Sequence, residues 1–174
     1  LDALNLPNLS EDLYFEKKKK KTAYLFATAA EMSAFLCGAS EQEVENMRRF
    51  GEIIGLCFQI RDDIFDYYSS DVLGKPTGND MQEGKLTLPA LYVLNTLRNP
   101  SMIELALKIR ALDASDEEIA YFIDYVKQNG GIEYATQVMI EYRNKALAIL
   151  PDDISDELKI ALTSYIDYVI ERNK

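Results

Sequence analysis

Three aspartates near the middle of the chain have the spacing of a metal site. Asp62 and Asp66 are four residues apart, so a helix would place them on one face, with Asp63 about 100° around the axis. Grouped carboxylates suit Mg²⁺ that is shared with the phosphates of a substrate. The surrounding segment is apolar, where unpaired carboxylates would be costly to bury. The pattern therefore predicts a magnesium site.

A segment that contains glycine and lysine follows these aspartates. Lys75 and Lys85 stand among Gly74, Gly78 and Gly84. Lysines supply point charges for phosphate oxygens, and glycines let the backbone approach a ligand closely. Together with the aspartates, this segment predicts a site for a phosphorylated ligand. An acidic stripe beside a surface loop is the alternative interpretation.

A second acidic group repeats the spacing of the first. Asp152, Asp153 and Asp156 lie around Ser155, directly after Pro151. Carboxylates at the start of a helix are favoured by the helix dipole alone. We therefore interpret this second group as structural.

Five consecutive lysines form the run Lys17–Lys21. Consecutive residues fan around a helix, so these lysines cannot all face one ligand. Glu11, Asp12 and Glu16 lie one to two turns earlier and balance the charge. The run as a whole indicates a solvated face. Lys21 is the exception, because it precedes an apolar segment and could point inward.

The composition excludes several classes of function. The chain has 29 acidic and 19 basic residues, a net charge of −10, which argues against broad affinity for nucleic acid. It has no His, which excludes catalytic imidazoles and histidine-ligated metals. Cys37 and Cys57 lie in apolar surroundings and indicate buried free thiols in a reducing, cytoplasmic compartment. No apolar run is long enough for an integral membrane segment, so we expect a soluble protein.

The pattern of apolar residues predicts an all-α protein in one domain, residues 1–174. Gly and Pro are few, and alternation typical of strands is nearly absent. Ser40 with Glu43 and Ser115 with Glu118 are capping boxes that begin helices. The segment from Ser69 to Leu86 is a long loop, which is typical of a functional or disordered region. The seven predicted helices run from Ser10 to about Leu36, Ser40 to about Tyr68, Thr87 to Asn99, Ser101 to about Leu112, Ser115 to Gly130, Ile132 to Leu150, and Ser155 to about Arg172.

These motifs resemble those of a known family. The segments FQIRDDIFDY and GKPTGNDMQEGKLTLPALY resemble the second aspartate-rich region of the trans-polyprenyl diphosphate synthases. Lys21 and Thr22, in KTAYLF, match the lysine–threonine pair upstream of that region. The tail, with Gly130 and Gly131 and the closing YVIERNK, is similar to bacterial medium- and long-chain, octaprenyl-type members. The resemblance covers essentially all 174 residues.

The resemblance implies an isoprenoid-synthase-type helical bundle, usually a homodimer, that elongates an allylic diphosphate with isopentenyl diphosphate by using Mg²⁺. Metal and lysine charges would stabilise the departing diphosphate, and a dry apolar tunnel would exclude water. No imidazole is needed. By position, the metal ligands would be Asp62, Asp63 and Asp66, the diphosphate lysines Lys21, Lys75 and Lys85, the dipoles facing the allylic cation Thr22 and Gln59, and the aromatic ring beside it Phe58.

One departure from the family pattern limits this interpretation. The family has two aspartate-rich motifs, and nothing before Ser10 supplies the first. Because this motif is missing, we expect the chain to be the C-terminal portion of a synthase and to have negligible activity alone. The chain begins at Leu1 rather than Met, which indicates either a processed start or part of a longer chain. The alternative is a non-catalytic helical subunit or regulatory partner, although the intact acidic and lysine set argues against it. Arg61 occupies a variable position and receives no role.

Overall fold

The computed structural model describes residues 10–68, 77–151 and 154–172, and within these ranges the chain is helical and contains no β-strand. The predicted all-α fold is confirmed. No helix in the described ranges has the length and apolarity to cross a bilayer. The helices are α1 (Glu11–Lys18), a π-helical turn (Lys19–Ala23), α2 (Tyr24–Leu36), α3 (Glu41–Phe65), α4 (Asn79–Gln82), α5 (Leu88–Leu97), α6 (Pro100–Arg110), α7 (Asp116–Gln128), α8 (Gly131–Ile149) and α9 (Asp156–Glu171).

The two predicted capping boxes, which begin helices at Ser40 and Ser115, are confirmed. The Ser115 Oγ accepts from the Glu118 N–H at 3.3 Å, and the Glu118 carboxylate accepts from the Ser115 N–H at 2.8 Å. Ser40 and Glu43 form the same reciprocal pair at the start of α3. Thr87 holds the N-cap position of α5, but its side chain makes no cap hydrogen bond. Its hydroxyl lies 3.3 Å from the buried Tyr67 hydroxyl instead.

Three features differ from the predicted helices. The first helix contains the π-helical turn between α1 and α2. The second predicted helix, which is α3, ends at Phe65 instead of Tyr68, and α4 lies within the predicted loop. The cause of the earlier end is a long-range bond, because the Asp66 carbonyl accepts from the Gly78 N–H at 2.9 Å. Residues 69–76 of that loop lie outside the described residues.

The chain divides into two compact units, each with its own buried side chains. The first unit comprises Leu1–Tyr14 and Asp62–Thr136, and the second comprises Phe15–Arg61 and Gln137–Lys174. Each unit is thus built from two segments that are separated along the sequence, whereas we predicted one domain. Buried apolar side chains of the first unit include Ile109, Phe122 and Val126, and those of the second include Phe50, Ile60, Met139 and Ile166.

Candidate functional site

Asp63 is a buried carboxylate in the first unit, with 2% of its surface exposed. Its Oδ2 accepts a 2.6 Å hydrogen bond from the hydroxyl of Tyr14, which is also buried. Burial raises the pKa of the Tyr14 phenol well above its ordinary value, and the charge of Asp63 raises it further. The phenol therefore keeps its proton near neutral pH and remains a donor to the carboxylate.

Asp66 binds backbone with both carboxylate oxygens. Its Oδ1 accepts from the Asn79 N–H at 2.9 Å, and its Oδ2 accepts from the Asp80 N–H at 3.0 Å. These are the donors at the start of α4, which a helix leaves without internal partners. Burial raises the pKa of Asp66, while the two N–H donors oppose this shift. Asp66 thus fixes the turn that leads to Lys85.

Lys85 follows directly from this turn. Its backbone N–H donates to the Asp80 carbonyl at 2.7 Å, directly after Gly84 in the left-handed conformation, with φ of +72°. Its exposed ammonium pairs with Glu83 and lies 3.9 Å from Asp80. Pairing with Glu83 raises the pKa of Lys85, and the charges of Asp80 and Asp63 contribute to the rise. A cationic side chain therefore lies within the electrostatic reach of the aspartate cluster.

Asp62 and Lys75 are the other two residues predicted for the site in the first unit, and the structure describes only the first of them. Asp62 is half-buried in the last two turns of α3. Lys75 lies outside the described residues. Among the described side chains, no group of three potential ligands converges closely enough to hold a metal by itself. The available oxygens instead suit a cation held by one or two carboxylates together with substrate phosphates, which is the usual mode for Mg²⁺.

Lys21 and Thr22 lie in the π-helical turn of the second unit. Such turns occur often at functional sites, because they redirect the side chains they carry. The Lys21 side chain is exposed rather than directed inward, and Thr22 is half-buried. Elsewhere in the lysine run, the exposed Lys20 pairs with Glu16, as predicted, whereas the half-buried Lys19 pairs with Glu52 of α3 at 2.9 Å.

Two glycines of α3 allow this helix to pack closely against the π-helical turn and the start of α2. A Cβ on Gly55 would lie 2.6 Å from the Ala23 Cα, and a Cβ on Gly51 would lie 2.5 Å from the Phe26 carbonyl oxygen. Gln59 continues the same face of α3 one turn later and is buried. The two glycines therefore set the register between the π-helical turn and this face of α3.

Phe58 has a partner that the sequence did not indicate. The Phe58 ring packs against the Phe26 ring, with 5.7 Å between their centroids. The Arg172 guanidinium lies 3.9 Å from the centroid of the Phe58 ring. Arg172 also donates to the Phe58 carbonyl at 3.2 Å. Arg61 donates twice to the Arg172 carbonyl, at 3.0 and 2.8 Å. The cation on the Phe58 ring is thus a side chain of this chain, and Arg61, which was given no role, holds the end of α9.

Comparison with known proteins identifies a common family. A sequence model described as "Polyprenyl synthetase" matches residues 1–126. The chain is 35% identical over 167 residues to a short chain isoprenyl diphosphate synthase from Methanothermobacter thermautotrophicus, covering 95% of this chain and 50% of that protein. It therefore spans about half the length of the curated relatives it matches.

Two solved structures have the same fold. One is a geranylgeranyl pyrophosphate synthase from Bacteroides thetaiotaomicron, 47% identical, with a TM-score of 0.88 over 97% of this chain and 58% of that one. The other is a polyprenyl synthase from Caulobacter crescentus complexed with calcium and isoprenyl diphosphate. It is 30% identical, with a TM-score of 0.86 over 98% of this chain and 52% of that one.

Proposed function

Because this chain belongs to the polyprenyl synthetase family, we propose that it supplies a diphosphate-binding wall of a prenyltransferase that condenses an allylic diphosphate with isopentenyl diphosphate. The observation that carries the proposal is the turn held by Asp66. That side chain anchors α4, and Lys85 follows within reach of the charge on Asp63. Acidic ligands for a cation and a lysine for phosphate oxygens are thereby combined within one unit.

We propose that Asp62 and Asp63 hold the cation and that Asp66 contributes mainly by fixing α4. Mg²⁺ is our choice of cation, since hard carboxylate oxygens suit it and the relative from Caulobacter crescentus binds another hard divalent ion, calcium. When bound, such an ion neutralises charge on the departing diphosphate. Lys85, with Lys75, would hold the same phosphate oxygens as point charges.

The roles that we propose for the remaining residues rest on the family resemblance. Lys21 would add charge to the diphosphate, and Thr22 and Gln59 would direct oxygen dipoles at the allylic cation as it develops. Phe58 would line the site with an aromatic face. We further propose a homodimer and a cytoplasmic location, the latter because Cys37 and Cys57 are both free thiols.

Calorimetric titration of Mg²⁺ with inorganic diphosphate into the 174-residue chain tests this function. Asp62→Asn is expected to weaken binding at least tenfold, because it removes a charged ligand without changing the size of the side chain. Asp124→Asn, an identical change on the exposed face of α7, is the control and should bind normally. Equal affinities of the Asp62 variant and the control would contradict the proposal.

The second candidate, a non-catalytic subunit, predicts a different result. A subunit that kept only the fold would bind neither Mg²⁺ nor diphosphate through these residues. Both candidates predict negligible chain elongation by the 174-residue chain alone, because this sequence lacks the family's first aspartate-rich motif. Binding, rather than activity, therefore distinguishes the two candidates.

A further inference from the structure

Tyr14 forms the closest described contact to the aspartate cluster that the proposed function does not use. Its hydroxyl donates to the Asp63 Oδ2 at 2.6 Å, across 49 residues of sequence. Tyr14 and Asp63 are 7% and 2% exposed. A hydrogen bond from a neutral donor to a carboxylate is strengthened by the charge, more so where water is excluded.

Tyr14 lies in α1, whose start is also held by contacts that do not involve Asp63. Glu11, one turn earlier in α1, accepts a 2.8 Å hydrogen bond from the Tyr134 hydroxyl. The Tyr134 ring stacks on Tyr92, with 4.0 Å between centroids and 9° between planes. The start of α1 is therefore attached to α8 and, through that stack, to α5. Tyr14 is therefore carried by a helix that these other contacts hold in place, in addition to its own bond to Asp63.

We propose that Tyr14 is a positioning residue of the cation site, which holds the Asp63 carboxylate in one orientation beside Asp62. The inference rests on the proposed function. A buried carboxylate without this donor would rotate about its terminal torsion and lose part of its stabilisation as an anion. Hydrogen-bond partners of metal ligands commonly change metal affinity by about 10- to 100-fold when they are removed.

The test compares two tyrosine-to-phenylalanine variants of the 174-residue chain. Tyr14→Phe removes only the hydroxyl that meets Asp63. Tyr125→Phe is the matched control, because it removes the hydroxyl of a half-buried tyrosine of α7 that accepts from the Asn99 side-chain amide at 3.5 Å. The affinity for Mn²⁺ with inorganic diphosphate is measured by electron paramagnetic resonance, and the thermal midpoint is measured without metal.

Both variants are expected to lower the thermal midpoint, but only Tyr14→Phe should weaken Mn²⁺ binding, by about tenfold. Equal Mn²⁺ affinity in both variants and the wild type would overturn the inference while leaving the proposed function intact. If Tyr14→Phe does not fold, it is combined with Asp63→Asn, which removes the buried charge that the lost hydroxyl would leave without this donor. Because Tyr14 is proposed to act through Asp63, the double variant should bind Mn²⁺ as weakly as Asp63→Asn alone, and a further loss of affinity would overturn the inference. A wild-type chain that binds no Mn²⁺ with diphosphate would overturn both proposals.

Discussion

Replacing Asp66 with Ala separates the structural role of this carboxylate from metal binding. In the wild type, its two oxygens accept from the N–H groups of Asn79 and Asp80, at 2.9 and 3.0 Å. Alanine has no carboxylate, so the two backbone N–H groups at the start of α4 lose these acceptors. The chain should therefore lose stability in the complete absence of metal, which a residue that acted only as a metal ligand would not cause.

The expected loss follows from these two bonds. A hydrogen bond makes a net contribution of about 1 kcal/mol to the free energy of unfolding, and loss of a helix cap lowers that free energy by about 0.5–2 kcal/mol. Two effects offset part of this loss, since the ionised Asp66 is partly desolvated and is repelled by Asp80, as its raised pKa indicates. Because the side chain is half-exposed, we expect a decrease of about 1–2 kcal/mol in the free energy of unfolding.

Urea unfolding followed by circular dichroism at neutral pH, with a chelator present, measures this decrease. Asp124→Ala makes the same change on the exposed face of α7 and should alter stability by less than about 0.5 kcal/mol. Equal stability of the Asp66 and Asp124 variants would refute the structural role assigned to Asp66.

Three further predictions concern other parts of the chain. Gly55→Ala should destabilise by about 1–2 kcal/mol in urea unfolding, because its Cβ would meet Ala23 and overpacking outweighs the gain in helix propensity; a stabilised variant would contradict this. Burial raises the pKa of Cys57 to about 12, so a thiol reagent should modify only the exposed Cys37 until urea is added, and two fast reactions would contradict this. Burial raises the pKa of Asp66 in the folded chain above its ordinary value of 3.8. The difference in free energy of unfolding between the wild type and Asp66→Asn should therefore fall as the pH rises from 3.8 through the folded-state pKa. A difference that grows over this pH range would contradict the prediction.

Local signals explain what could be predicted from the sequence. Capping boxes such as that of Ser115 and Glu118 involve residues three apart, so the helix starts could be recognised directly. The cluster around Asp62 could be recognised because its spacing follows the helix period. These features need no knowledge of what lies across the fold.

Long-range contacts explain what could not be predicted. Asp66 binds donors 13 and 14 residues later, and the Tyr14–Asp63 bond spans 49 residues. Arg172 reaches the Phe58 carbonyl across 114 residues. The local sequence around one residue of such a pair does not indicate which distant residue it will contact. The metal-ligand pattern could therefore suggest three equivalent aspartates, whereas the fold gives Asp63 and Asp66 additional internal partners.

The most direct test of the account is a crystal structure of the chain with Mn²⁺ and a non-hydrolysable allylic diphosphate, in which the anomalous signal locates the metal. We expect Mn²⁺ to be coordinated directly by a carboxylate oxygen of Asp62, with a phosphate oxygen of the ligand as another of its partners. The ammonium of Lys85 should contact the same diphosphate. A metal and diphosphate that bind away from Asp62 and Lys85 would contradict the central claim.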